Sequence, residues 1–198
     1  MKIIQTINQG IDLFNNNYMN QSASDMIVNL HLAKIPNWGY LGTNGTYIDN
    51  QLYLSHRLLE PKYENELMNK VQKTNIIGTI IHELTHAEHS TLESFKDLEN
   101  ATLLLENVTD IGYFDGNYEE FDRLVSTSIG FTKKSELAAM KNELNYYNSL
   151  CREDFQVENV NFLDLMIKGV EQNIENVKNN RYFGTDLDSE KMWRELNN

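Results

Sequence analysis

The stretch Ile80-Ile81-His82-Glu83-Leu84-Thr85-His86-Ala87-Glu88-His89 contains the pattern His-Glu-x-x-His. On a helix, His82 and His86 lie one turn apart on the same face, and both imidazoles can reach one zinc ion. Glu83 is rotated roughly 100° from His82, so its carboxylate can stand beside the ion without ligating it. That is the place for a general base acting on a metal-activated water. The approach, Asn75-Ile76-Ile77-Gly78-Thr79-Ile80-Ile81, is strongly apolar, so the motif begins where a helix is being buried. Three polar residues in a buried helix need a compensating partner, and a metal ion is the most economical one.

Two histidines and a base leave the site one protein ligand short, because catalytic zinc takes three protein ligands and a water. His89 shares the face of His82 and His86 but is two turns from His82, about 10.5 Å along a straight helix. Both could not reach one ion at about 2 Å each, and Ala87-Glu88 supplies no glycine at which the helix would break. Glu106 is better placed. It lies in a second apolar helical pattern, Leu103-Leu104-Leu105-Glu106-Asn107-Val108-Thr109-Asp110-Ile111, after a polar stretch with room to turn back. Asp110 follows one turn later on the same face and could accept the distal N–H of a ligating histidine, fixing its tautomer.

His82-Glu83-Leu84-Thr85-His86-Ala87 followed by Glu106-Asn107-Val108-Thr109-Asp110 resembles the thermolysin-like zinc metallopeptidases, the gluzincins, in a compact form. In that group a His-Glu-x-x-His helix is followed by a glutamate helix of the form Glu-x-x-x-Asp, and the 20 positions from His86 to Glu106 are typical of it. The resemblance covers residues 76 to 114. It implies zinc held by His82, His86 and Glu106, a base at Glu83, an orienting carboxylate at Asp110, and hydrolysis of peptide bonds in a peptide or protein substrate. The chain departs from the family in being far shorter than thermolysin, and in having no histidine after His89 to stabilise a transition state. Ile48 to Leu59 is more loosely similar to the SprT-like group, which would take a third histidine that this chain lacks. The rival readings are a zinc-stabilised, non-catalytic binding module, against which the intact Glu83 counts, and a structural helical protein with solvated histidines.

The rest of the chain must position these groups. Its 198 residues fit one domain, or two small lobes sharing a core. With 40% apolar and 23% charged residues the composition is that of an ordinary soluble globule. A formal charge of −12 argues against nucleic acid as a partner, which calls for clustered Lys and Arg. The lone Cys151 rules out an intrachain disulfide framework. Met1-Lys2-Ile3-Ile4-Gln5-Thr6 lacks the basic-then-apolar run of a signal peptide, and no apolar stretch approaches transmembrane length. The expectation is a monomer in the cytoplasm, or one exported without a classical signal peptide, and not bound to a membrane.

Ile3, Ile4, Ile7, Ile11, Phe14 and Tyr18 keep a helical rhythm over residues 3 to 18. Met26 to Leu32 reads as a strand in which His31, between two leucines, is a satisfied strand histidine. Asn44-Gly45, flanked by Gly39 to Thr43 and Thr46 to Asp49, is the strongest hairpin signal, and Gln51 to Ser55 makes another short strand. Gly39 to Ile48 is the expected sheet edge, where extended substrate would add as a strand. The motif helix is expected from Glu64 past His89, with Gly78 admitting a closely packed neighbour. Phe121 to Ile129, Ser135 to Tyr147, Asn159 to Val177 and Ser189 to Leu196 read as further helices. The pattern predicts an α+β fold: a small antiparallel or mixed sheet on the active-site helix, then a helical lobe. Residues 1–114 form the zincin-like core, and residues 115–198 the lobe that closes the cleft within the same compact unit. That lobe should supply the group that stabilises an oxyanion. The candidates are Tyr146, Tyr147, Arg152, Arg181 and Tyr182, together with Tyr113 from the glutamate helix, and Tyr182 and Tyr113 are singled out.

Overall fold

The computed structural model describes residues 3–19, 29–31, 44–48, 51–55, 58, 65–179 and 189–196. In chain order the elements are α1 (Ile3–Asn17), β1 (Asn29–His31), β2 (Gly45–Ile48), β3 (Gln51–Leu54), α2 (Glu66–Thr91) and α3 (Glu93–Ile111). They continue with α4 (Tyr118–Asn148), a 3-10 turn (Arg152–Phe155), β4 (Gln156–Val157), β5 (Val160–Asn161), α5 (Phe162–Lys178) and α6 (Ser189–Leu196). The fold is α+β, mostly helical, with a small sheet on the motif helix and a helical C-terminal region.

The helix α2 carries the motif and is the central element. It starts where the Asn65 side chain accepts the Leu67 N–H at 2.9 Å, which satisfies a donor that the first helical turn leaves open. Ile76, Ile77, Ile80 and Ile81 are all buried. Each stabilises the fold by roughly 1.5–3 kcal/mol relative to an exposed side chain, enough to hold three polar motif residues in the same helix. α1 packs on one side, with Gly10 so near Ile80 that an added Cβ would lie 3.0 Å from its Cδ1. α4 packs on another side and the sheet on a third. Buried Ile7, Phe14, Leu52, Leu54, Ile80, Leu84, Met140, Tyr147, Phe155 and Leu163 form one cluster, so residues from both predicted halves of the chain share a core.

The sheet has the order β1-β3-β2, with β1 parallel and β2 antiparallel to β3. The Ser55 N–H donates to Asn44 O at 2.8 Å, and Gly45 pairs with Leu54. Asn44-Gly45 therefore belongs to the strand pairing and is not a hairpin turn, because the pairing runs on until Ile48 meets Gln51. Antiparallel alternation from the Asn44–Ser55 bond makes Thr46 and Ile48 the residues that bond β3, and turns the main-chain groups of Gly45 and Tyr47 to the outer edge. Of the strand expected over Met26 to Leu32, Asn29–His31 is described as β1; the rest lies outside the described residues, as do positions 39–43 of the expected edge.

Two helix expectations change. Glu93 already begins α3, with Leu92 as the sole residue between it and α2, so the polar stretch expected to turn the chain back is itself helical. A one-residue connection leaves no slack to lay the second helix along the first, and α3 packs chiefly on α4. There Leu105 and Val108 meet Phe121, Leu124 and Val125. The predicted pieces Phe121 to Ile129 and Ser135 to Tyr147 are one helix of 31 residues. Gly130 weakens such a helix by about 1 kcal/mol but does not break it, and both prolines, Pro36 and Pro61, come earlier in the chain. A capping box at Asn117 and Glu120 starts α4.

Candidate metal centre

The long helix α4 lies along α2 and brings Glu136 to the histidine pair. His82 Nε2 and His86 Nε2 are 3.2 Å apart. Glu136 Oε2 is 3.5 Å from His82 Nε2, and its Oε1 is 3.6 Å from His86 Nε2. A tetrahedral zinc ion with ligands at 2.0–2.1 Å separates them by roughly 3.3 Å, so the three donors already stand at the spacing of one tetrahedral face. The side chains of His82, His86 and Glu136 are 14, 19 and 17% exposed, so all three are partly open to solvent. Among the described residues this is the one group of histidine and carboxylate donors close enough to hold a metal ion.

The charge around the triangle fits a cation as well. Burial pushes the Glu83 carboxyl up to about 7, helped by Glu136 and Glu143 and opposed by His82 and the Tyr47 N–H. Burial alone would pull His82 down, but hydrogen bonds with Glu136 and Glu143 and the charge of Glu83 outweigh it and hold His82 well above its ordinary value. His86 is lowered to about 4 by burial and by the neighbouring His82. Three acidic side chains, Glu83, Glu136 and Glu143, thus surround the His82 and His86 rings in a partly buried setting that would suit a divalent cation.

Each imidazole is held from behind by α4. His82 Nδ1 lies 3.2 Å from Glu143 Oε2, and the Tyr147 hydroxyl donates to Glu143 Oε1 at 2.9 Å. Gly78 makes room for that phenol: a Cβ there would lie 2.7 Å from Tyr147 Cζ. His86 Nδ1 lies 2.7 Å from Ser135 Oγ. Such outer partners fix the tautomer and ring angle of a ligating histidine.

Glu83 is buried under β2. Its carboxylate accepts the Tyr47 N–H at the outer edge of the strand, and a Cβ on Gly45 would come within 3.0 Å of its Cγ. Gly45 therefore sets how closely the strand approaches the carboxylate.

Comparison with protein-family models, with curated proteins and with solved structures returns no match. The site must be read from its own geometry.

Of the residues singled out from the sequence, His82, Glu83 and His86 lie together, with Glu136 as the carboxylate beside them. Glu106 is in α3, and its side chain lies outside the described residues. Asp110 is exposed on the last turn of α3; among the described residues, Glu143 lies at Nδ1 of His82 and Ser135 at Nδ1 of His86. Tyr113 is 62% exposed, just past the left-handed Gly112 that ends α3. Tyr182 and Arg181 lie outside the described residues. Tyr146 and Tyr147 are buried, the latter bonded to Glu143, and Arg152 is paired with Asp164 at 2.9 Å.

The sequence reading missed Ser135, Glu136 and Glu143, and it weighed Tyr147 only as an oxyanion donor and not as the partner of Glu143. One signal was present: these four recur at helical spacing with Ala139 and Met140, which puts two glutamates on an apolar stripe. Carboxylates on a buried face need a partner, and the histidine motif was the unpaired candidate.

Proposed function

We propose that the protein is a zinc-dependent metallopeptidase in which His82, His86 and Glu136 hold the metal and Glu83 is the general base. The observation that carries this reading is the triangle of donors, with edges of 3.2, 3.5 and 3.6 Å, standing next to a buried carboxylate that takes no part in it. Bound zinc would acidify a water and polarise the scissile carbonyl. Glu83 would take the proton from that water as its oxygen adds to the carbonyl carbon, and would pass it to the amine nitrogen when the C–N bond of the tetrahedral adduct breaks. Its burial beside β2 keeps it away from bulk water.

The outer edge of β2 supports an extended peptide as substrate. Among the described residues β2 is an outer strand, and the main-chain groups of Gly45 and the carbonyl of Tyr47 face away from β3, so a peptide adding there as a strand would run past Glu83, which holds the Tyr47 N–H. The net charge of −12 gives no support to a nucleic-acid substrate, and no described helix is long and apolar enough to cross a membrane.

Elemental analysis of the purified protein, joined to a chelator-sensitive peptide-cleavage assay, tests the reading. The expected result is one zinc per chain, cleavage that chelator abolishes and zinc restores, and a Glu83→Gln variant that keeps its zinc but cleaves nothing. Zinc without cleavage in the unaltered protein would favour the non-catalytic binding module, and no zinc at all would end the proposal.

A further inference from the structure

Ser135 stands between two histidines. Its hydroxyl oxygen lies 2.7 Å from His86 Nδ1 and 3.0 Å from His89 Nδ1, and both Ser135 and His89 are buried. The contact joins α4 to two successive turns of α2. A serine hydroxyl has one hydrogen to give, so the direction of the two bonds follows from what each ring requires.

His86 Nε2 faces His82 and Glu136. A nitrogen that ligates a metal carries no hydrogen, so the neutral ring carries its hydrogen on Nδ1. His86 therefore donates to Ser135 Oγ, and the hydroxyl hydrogen is left for Nδ1 of His89. With that bond donated to it, Nδ1 of His89 is bare, and His89 is the neutral ring with its hydrogen on Nε2. The surroundings agree, since burial and the positive charge of Lys134 both disfavour a second proton on His89.

We propose that Ser135 and His89 are positioning residues for the metal centre. A directed chain, His86 Nδ1–H to Ser135 Oγ–H to His89 Nδ1, holds His86 in the tautomer and ring angle that present Nε2 to the ion. The inference rests on the metal-centre reading above. It gives His89 a task that its distance from His82 permits, and it makes the two ligating histidines unlike: His82 is backed by a carboxylate, His86 by a neutral relay. The relay adds no charge to a site already crowded with carboxylates.

The test is zinc chloride titrated, against a competing chelator, into the metal-free protein and four variants. Ser135→Ala and His89→Leu are expected to weaken zinc binding by about 10- to 100-fold. Ser135→Thr keeps the hydroxyl, and His89→Asn can place an amide oxygen near the position of Nδ1, so both should recover most of the affinity. Long-range 1H–15N spectra of the zinc-loaded unaltered protein supply a second reading that survives if a variant fails to fold. They should show the hydrogen on Nδ1 of His86 and on Nε2 of His89. Unchanged affinity in both Ser135→Ala and His89→Leu, or a hydrogen on Nδ1 of His89, overturns the relay and leaves the metal centre standing. Absence of zinc uptake by the unaltered protein removes the metal centre and the relay together.

Discussion

Replacing Gly78 by alanine tests the support of the centre at a residue that touches neither metal nor substrate. In an ordinary helix interior this change stabilises by about 1 kcal/mol, because alanine has the better helix propensity. Here the new methyl would lie 2.7 Å from Tyr147 Cζ and 2.8 Å from its Cε1. Tyr147 is 1% exposed and packed in the main cluster, so its ring has nowhere to move without shifting neighbours. Overpacking of this kind costs about 1–3 kcal/mol. The net expectation is a loss of up to about 2 kcal/mol, or a Tm lower by up to about 4–8 °C for a chain of this length. A second effect should accompany it. A displaced Tyr147 gives up its 2.9 Å bond to Glu143, and Glu143 then holds His82 less firmly, so zinc affinity should fall by about 10- to 100-fold. Thermal unfolding of the metal-free protein and zinc titration read the two effects separately. A Gly78→Ala protein that melts higher and binds zinc as before would refute both the packing and the link from Tyr147 through Glu143 to His82.

Other consequences follow from the same geometry. Glu136→Gln should lose zinc by more than the roughly 100-fold that an outer-partner loss can cost; Glu106→Gln, assayed beside it, would take over the third-ligand role if it alone lost the metal. Zinc binding to the metal-free protein should tighten as pH rises through the raised pKa of His82, with proton release measurable by calorimetry in buffers of different ionisation enthalpy, because that ring must shed a proton to ligate. The sign for folding is the reverse: His82 stabilises the metal-free fold below its ordinary value of 6.5 and loses that contribution as pH rises through its folded value. A zinc affinity flat with pH would contradict the charged state of His82. Glu158, between β4 and β5, has φ 49°, so Glu158→Gly should raise stability by about 0.5–1 kcal/mol; a lower denaturation midpoint would count against strain at that turn.

His-Glu-x-x-His could be read directly from the chain because the relation among His82, Glu83 and His86 is set by the helical period alone. The burial of α2 was equally legible, since Ile76, Ile77, Ile80 and Ile81 leave such a helix no solvated side near the motif. The same locality explains why α1, β3 and α6 fall close to their expected positions. Pairing between elements is a different matter. Asn44-Gly45 has the composition of a hairpin turn, but the hydrogen bond from Ser55 draws Asn44 into the strand pairing, and local turn preference is weaker than a sheet register.

Glu136 stands 50 positions after His86, and its approach depends on facts that no local pattern contains. α4 must continue through Gly130, it must lie along α2, and its rotation must turn Ser135, Glu136 and Glu143 toward the histidines rather than to solvent. The sequence by itself determined that a buried helix carries two imidazoles and a carboxylate one turn deep, because covalent spacing and helical geometry suffice for that. Only the tertiary structure decided which distant carboxylate meets them, because that choice belongs to the packing of one helix against another.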